Sequence, residues 1–457
     1  MMQRDPKNTQ LTHLGARDAI SQFTFLCEIA MPQLTNLSSN SPVFRKLVEP
    51  LQQCLIKNPH ARACQTTSDS EWLETGVLRV LSEVVSGRHF LQKLFYLGKV
   101  ICVGTFFATL RSSRRLSHLR DTLSSLLDLM LEKRQDADPL REFDELNSFQ
   151  VFATDGHYHA HACHDPKIGG KHRSAQHFYC LNYRSLGLSH FALAEIGNDV
   201  KKESDLKACK KKNAEEMRQG AGKGIRTLYV WDRAIIDYKF WVEMKKKAVY
   251  FLTLCKSNLR FELEKDLEFN SDDAVNQGVL CDQMVRSKTD GISVRRVSYR
   301  CPASGKVFNF LTNLHHSVRP GVVALLYKMR WDIEKVFDEI KNRFGEKKSW
   351  STNPNGKMAQ AYFICLAHNL LRLLEDQLEA EGATNAQDPE RRRLRLEEAL
   401  ERRHFKLNDA PNLLKLTNRL VQRSTILIRW LRPHLQLPVL WSDAVLSLRA
   451  SYVEFSR

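Results

Sequence analysis

Tyr327-Lys328-Met329-Arg330-Trp331-Asp332-Ile333-Glu334-Lys335-Val336-Phe337-Asp338-Glu339-Ile340-Lys341 is the stretch from which the rest of the chain can be read. At about 100° per residue, Tyr327, Arg330, Glu334 and Lys341 fall at roughly 0°, 300°, 340° and 320° around one helix. Ile333, Val336, Phe337, Ile340 and Phe344 gather on the neighbouring sector. The spacing therefore predicts a single helix that buries one side and shows an aromatic hydroxyl, two cations and one carboxylate on the other. Spacing alone explains such a face equally well as a surface ion pair.

Two upstream aspartates shift that balance. Asp155 follows Phe149-Gln150-Val151-Phe152-Ala153-Thr154, and Asp232 follows Leu228-Tyr229-Val230-Trp231. Both runs have strand character, so each acid is expected at a strand end. If the strands are neighbours and the helix packs across them, Asp155, Asp232 and Glu334 converge. Such a trio can hold two divalent ions about 3.5–4 Å apart, as enzymes that cut phosphodiesters do. Hard cations want oxygen ligands, which explains the residue types.

At this point the residues resemble a family. Tyr327, Arg330, Glu334 and Lys341 match in residue and spacing the Tyr-(2)-Arg-(3)-Glu-(6)-Lys signature of DDE transposases of the insertion-sequence-four type. Thr154-Asp155-Gly156 is similar to the family's first aspartate motif and Trp231-Asp232-Arg233 to its second. Phe310-Leu311-Thr312-Asn313-Leu314 resembles the strand leading into the signature helix. The resemblance covers about 145–375, and more loosely Gly104–Arg115.

What the resemblance implies is an α/β protein with an RNase H-like catalytic core. Asp155, Asp232 and Glu334 would be the catalytic, metal-holding residues, with two Mg²⁺ ions for which Mn²⁺ can substitute. Tyr327, Arg330 and Lys341 would grip DNA phosphates, where the planar fork of Arg suits phosphate oxygens. The implied activity is cleavage at element ends and strand transfer into target DNA. The implied partners are double-stranded DNA and a second copy of the chain in a synaptic complex. Family members commonly pass through a DNA hairpin steadied by a flipped base on a tryptophan. No tryptophan lies between Trp241 and Trp331 here, so either Tyr299, Phe308 or Phe310 takes that place or the hairpin step differs. Two other readings stand beside this one: another RNase H-like metal nuclease, and a repressor that binds ends without cutting. An intact acid trio argues against the second.

Composition agrees. At 457 residues with 43% hydrophobic content, the chain can build a real core. A formal charge of +17 and a pI near 9.4 imply an anionic partner, nucleic acid before an anionic membrane surface. Eleven cysteines scattered singly, without a Cys-x-x-Cys pair, point to reduced thiols in the cytoplasm, where the DNA partner that the resemblance implies would make the protein nucleoid-associated. The N-terminus lacks the apolar run of an export signal. Leu94–Leu110, broken by Lys99, is too short for a membrane span and reads as a buried helical hairpin.

Along its length the chain divides into a helical N-terminal DNA-binding region (1–142), the catalytic domain (143–375) and a helical C-terminal region (376–457) that could serve dimerisation. The first of these holds a helix around Arg17–Ile29 and a capping box of Ser68 with Glu71. It also holds a basic helix end at Arg111, Arg114, Arg115, His118 and Arg120 that can face phosphate. The 101 residues between Asp232 and Glu334 exceed a simple crossover and predict a β-rich insertion at about 245–311.

Three motifs are weighed and set aside. His157, His159, His161, Cys163 and His164 lack the second ligand pair that structural zinc wants, so a hairpin beside the acids is the better reading. Gly220–Gly224 is a turn, lacking the first glycine of a phosphate loop. The clusters Lys210–Lys212 and Lys245–Lys247 read as solvated lysines as readily as a DNA channel.

Overall fold

The computed structural model describes residues 41–57, 67–82, 86–96, 101–167, 170–172, 174–194, 205–232, 236–302, 304–383, 387–402, 404, 406, 423–435 and 437–454. The helix expected at Arg17–Ile29 lies outside them, as do Leu413, Leu416 and Leu420 of the expected C-terminal helical region.

The N-terminal helices are α1 (Pro42–Lys57), α2 (Asp69–Leu81), α3 (Gly87–Tyr96), α4 (Val103–Arg111) and α5 (Ser113–Lys133). The capping box is present: Glu71 N–H donates to Ser68 Oγ at 3.2 Å and Ser68 N–H to Glu71 Oε2 at 3.0 Å. Each bond satisfies an amide that the first helical turn would otherwise leave bare.

Next come β1 (Phe149–His159), β2 (Ala175–Asn182) and β3 (Leu188–Leu193), then the short helices α6 (Asp205–Lys210) and α7 (Ala214–Arg218). Strand β4 (Arg226–Val230), helix α8 (Tyr238–Lys246) and strands β5 (Val249–Leu254), β6 (Phe261–Asp266), β7 (Val279–Ser287), β8 (Ser293–Arg300) and β9 (Val307–Thr312) follow. They form one nine-stranded sheet in the order β3-β2-β1-β4-β5-β9-β8-β7-β6. Strands β1, β4 and β5 are parallel neighbours and the other pairs are antiparallel.

Helices α6, α7 and α8 cover one face of this mixed α/β fold, over Phe152, Phe178, Tyr229, Trp231 and Phe251. The other face, bearing Val151, Ala153, Tyr179, Val230 and Phe310, is covered by α9 (Pro320–Met329), α10 (Trp331–Asp338), a π turn (Glu339–Arg343) and α11 (Pro354–Ala380). Helix α11 packs on β3 and also on α1, α2, α4 and α5, so the N-terminal helices and the sheet share one core. Helices α12 (Gln387–Glu401), α13 (Arg423–His434) and α14 (Trp441–Glu454) complete the described chain. No helix among the described residues is long and apolar enough to cross a membrane.

Four expectations are corrected. Asp155 sits inside β1 instead of at its end, because antiparallel pairing with β2 carries the strand on to His159. The stretch 245–311 is β-rich but is not set apart: β5 lies between β4 and β9 in the central sheet, and β6–β9 extend that sheet. Tyr299 faces Phe308 across the β8/β9 hairpin. The stretch 327–341 is not one helix but α9, α10 and a π turn, with Arg330 at the first junction and Lys341 inside the turn.

The basic helix end at the start of α5 is the fourth, because much of it points inward. Arg114 forks onto Asp69 at 2.7 and 2.8 Å. Arg115 is 5% exposed, donates to the Thr67 carbonyl and lies over the Trp72 ring. His118 is buried, which leaves Arg111 and Arg120 on the surface.

Close approach fixes where α9 begins. A Cβ on Gly321 would lie 1.8 Å from the Val275 carbonyl oxygen, and Gly321 N–H donates to Asn276 Oδ1 at 2.9 Å. Backbone cannot yield as a flexible side chain can, so Gly321→Ala should destabilise the fold by about 2–3 kcal/mol. Urea unfolding would check this; an unchanged midpoint would mean that the junction opens without strain.

Candidate active site

The parallel pairing of β1 with β4 aligns Ala153 with Val230. That is the last pair of this register; Asp155 follows Ala153 by two residues within β1, and Asp232 follows Val230 by two residues just past the end of β4. Beyond β4, the Asp232 carbonyl is held by the Thr253 hydroxyl of β5. Asp155 Oδ1 accepts the N–H of Gly156 at 2.7 Å, which leaves Oδ2 turned to the helices.

Arg330 meets it there. One guanidinium nitrogen donates to Asp155 Oδ2 at 3.0 Å and the other to Glu334 Oε1 at 2.9 Å. The side chain is 8% exposed. Burial pulls its pKa down, but the charges of Asp155, Tyr327 and Glu334 outweigh burial and hold it above the ordinary value. A buried guanidinium thus ties a strand acid to a helix acid. Of the six expected site residues, Arg330 touches both Asp155 and Glu334, and Asp232 follows the end of β4, the parallel neighbour of the Asp155 strand.

Tyr327, half-buried, packs its ring 5.0 Å from Phe310, with the Arg330 guanidinium 5.9 Å over it. Lys341 is exposed, and its charge acts on His157, whose pKa burial and Lys341 push down to about 4. Lys341 lies inside the π turn, which rotates it off the stripe that an unbroken helix would give.

The histidines of β1 separate into two groups. His157 and His159 share a face with Asp155, and the β2 and β3 register brings His177 and His190 beside them. Ring centroids are 5.0 Å apart for His157 and His159, 5.3 Å for His159 and His177, and 5.2 Å for His177 and His190. His177 Nδ1 lies 3.1 Å from His190 Nε2. Burial pushes His159 and His190 down to about 3 and His177 well below the usual range, so all are neutral near pH 7. His161 leaves the group and stacks on His172 at 4.1 Å, while His164 is exposed. Among the described residues, no group of three or more His, Cys, Asp or Glu side chains closes on a metal position.

Sequence reasoning passed over His177 and His190, which lie far from the motif. The available signal was an apolar strand, Gln176–Asn182, that carries a histidine at a position facing the acids. It also passed over Glu339, His368 and Arg372, a buried polar group beneath the signature helices.

Residues 200–370 match the model of a family described as the transposase DDE domain. The matched stretch contains Asp232 and all of Tyr327 to Lys341, while Asp155 precedes it. A Sinorhizobium fredii protein named "Putative transposase y4zB" is 28% identical over 151 residues, which are 32% of this chain and 42% of that protein. The chain spans less than half the length of this curated relative. Together these likenesses support a DDE transposase, and the mixed α/β sheet is consistent with one.

Proposed function

We propose that the chain is a transposase of the insertion-sequence-four type with an RNase H-like core, which cuts DNA at element ends and joins the cut strand to target DNA. The observation that supports this is Glu334 fastened to Asp155 through Arg330, with Asp232 just past the end of β4, the parallel neighbour of β1. Three carboxylates on neighbouring supports supply the all-oxygen donors that hard divalent ions prefer. Asp155, Asp232 and Glu334 would hold two Mg²⁺ ions, for which Mn²⁺ could substitute. When bound, such ions activate an attacking oxygen and stabilise the leaving one.

The chain's own residues supply the rest. Arg330 neutralises Asp155 and Glu334 and sets the spacing between helix and strand. Lys341, exposed beside His157, is placed to meet a phosphate of the cut strand, and Tyr327 offers a hydroxyl on the same side. The helices of 1–142 and 376–457 would bind element ends and a second copy of the chain, and the charge of +17 favours DNA as the partner. We place the protein in the cytoplasm at the nucleoid.

Incubation with its own flanking DNA, with Mg²⁺ or with chelator, tests the reading. Nicked, hairpinned or joined products that need the ion support it, and binding without any strand break would favour a repressor. For phosphate grip, Lys341→Ala should lower the slope of log K against log salt by about 0.9, the loss of one phosphate contact. An unchanged slope would remove Lys341 from the DNA surface. Arg330→Lys keeps the charge but cannot fork between two carboxylates, so cleavage should fall more than end binding does.

A further inference from the structure

Glu339 stands five residues past Glu334, opens the π turn and is 4% exposed. Its Oε1 lies 2.7 Å from His368 Nδ1, and its Oε2 accepts from Arg372 at 3.2 Å. Arg372 donates as well to Glu375 Oε2 at 2.7 Å. His368 Nε2 lies 3.1 Å from the Leu186 carbonyl, in the β2–β3 turn, where Leu186 adopts a left-handed φ of 57°. Asn369, the next residue of α11, accepts Leu188 N–H at 2.8 Å and donates to Leu188 O at 3.1 Å. The signature helices, α11 and the β2–β3 turn are thus pinned together at one buried polar node.

Burying two acids, a guanidinium and an imidazole costs solvation that apolar side chains would not cost, so the node is poor value as plain stabilisation. Its geometry points elsewhere. The π turn, closed by Phe344 N–H onto the Glu339 carbonyl at 2.9 Å, changes the helical phase directly after the segment that carries Glu334. Holding the Glu339 carboxylate from two positions of α11 fixes the rotation of α10 about its own axis. That rotation sets the direction from which Glu334 approaches Asp155.

We propose that Glu339, His368 and Arg372 are positioning residues for Glu334, acting through the azimuth of α10; this rests on reading Glu334 as part of the cleavage site. A misplacement of about 1 Å at a reacting group can cost about a hundredfold in rate, so the node is expected to govern turnover and not affinity.

The decisive variant makes the node apolar at similar volume: Glu339→Met, His368→Leu, Arg372→Met and Glu375→Met combined. Buried ion pairs replaced this way usually leave stability unchanged or raised, so a merely structural role predicts a folded and active protein. Positioning predicts a folded protein that binds ends with KM within about twofold of wild type while kcat falls about thirtyfold or more. Glu339→Gln, which keeps one acceptor, should fall between. If the combined variant does not fold, Glu339→Gln decides: kcat lowered at constant KM supports the proposal, and wild-type kcat overturns it.

Fluorotryptophan labelling gives a readout independent of cleavage. Trp331 on α10 is 54% exposed, and its resonance can be assigned through Trp331→Phe. It should move in the node variants while the other tryptophan signals stay; a Trp331 signal that stays overturns the proposal. Wild-type protein inert on its own DNA with Mg²⁺ and Mn²⁺ would end the transposase reading instead, and the resonance would still decide whether the node steers α10.

Discussion

Asp155→Asn, Asp232→Ala and Glu334→Gln are each expected to lower ion-dependent cleavage of element-end DNA at least about a thousandfold, with end binding within about threefold of wild type. The size follows from the proposed role, since divalent ions supply several kcal/mol of stabilisation to the developing charge and each 1.36 kcal/mol is a decade in rate. Binding survives because the acids would hold cations and not phosphates, and removing a negative charge does not repel DNA. The amide replacements at 155 and 334 matter: each leaves Arg330 an oxygen to donate to, where alanine would strand a buried guanidinium. Single-turnover nicking across a Mg²⁺ titration decides the matter. A variant that cuts at wild-type rate takes its residue out of the site, and a variant that has lost binding points to damaged structure.

Acid should unfold the protein unusually early. His157 (about 4), His159 (about 3) and His190 (about 3), with His177 well below its ordinary value, sit beneath the 6.5 of an unfolded histidine. A depressed histidine contributes its stability in full above 6.5 and loses it as pH falls toward the folded value, because only the unfolded chain takes the proton. Two buried carboxyls oppose this: Glu346, pushed up to about 7 by burial, and Asp376, pushed up to about 6, stay protonated in the fold. Four imidazoles against two carboxyls leave two protons in favour of the unfolded chain between about pH 6 and pH 4.5. At 1.36 kcal/mol per proton and pH unit, that is on the order of 4 kcal/mol over the window. That is a large share of the 5–15 kcal/mol of a typical domain. Urea midpoints at pH 6.0, 5.3 and 4.5 would measure it, and His159→Phe should remove about half of the slope. A flat profile would mean that these histidines are protonated in the fold.

How much of this was legible in the sequence differs by residue. Tyr327, Arg330 and Glu334 were legible because a helix makes positions three and four apart neighbours, whatever the rest of the chain does. Asp155 and Asp232 were legible as acids after apolar runs, but not that their strands are parallel neighbours, which is set by pairing between residues 77 positions apart. The length of β1 was hidden for the same reason, since β2 and not the local sequence carries it to His159. Arg114 and Arg115 read as a basic surface because nothing local announces that Asp69 and Thr67 receive them. The break at Arg330 and the π turn escaped because periodicity assumes a constant angle per residue, whereas the buried partners of Arg330 and Glu339 belong to other elements. Likewise the length of the 245–311 stretch was readable, but its continuity with the central sheet depends on β5 and β9 pairing around it.

Helix α11 has a consequence for the order in which the molecule can be made. Phe363 fits against Gly76, where a Cβ would lie 2.1 Å from its ring, and that ring meets Trp72 at 4.9 Å, so α2 closes on residues that are synthesised much later in the chain. Until about residue 380 has emerged, α2, α4 and α5 lack the long helix against which they pack. A nascent or prematurely terminated chain is therefore expected to expose their apolar surface until α11 is made.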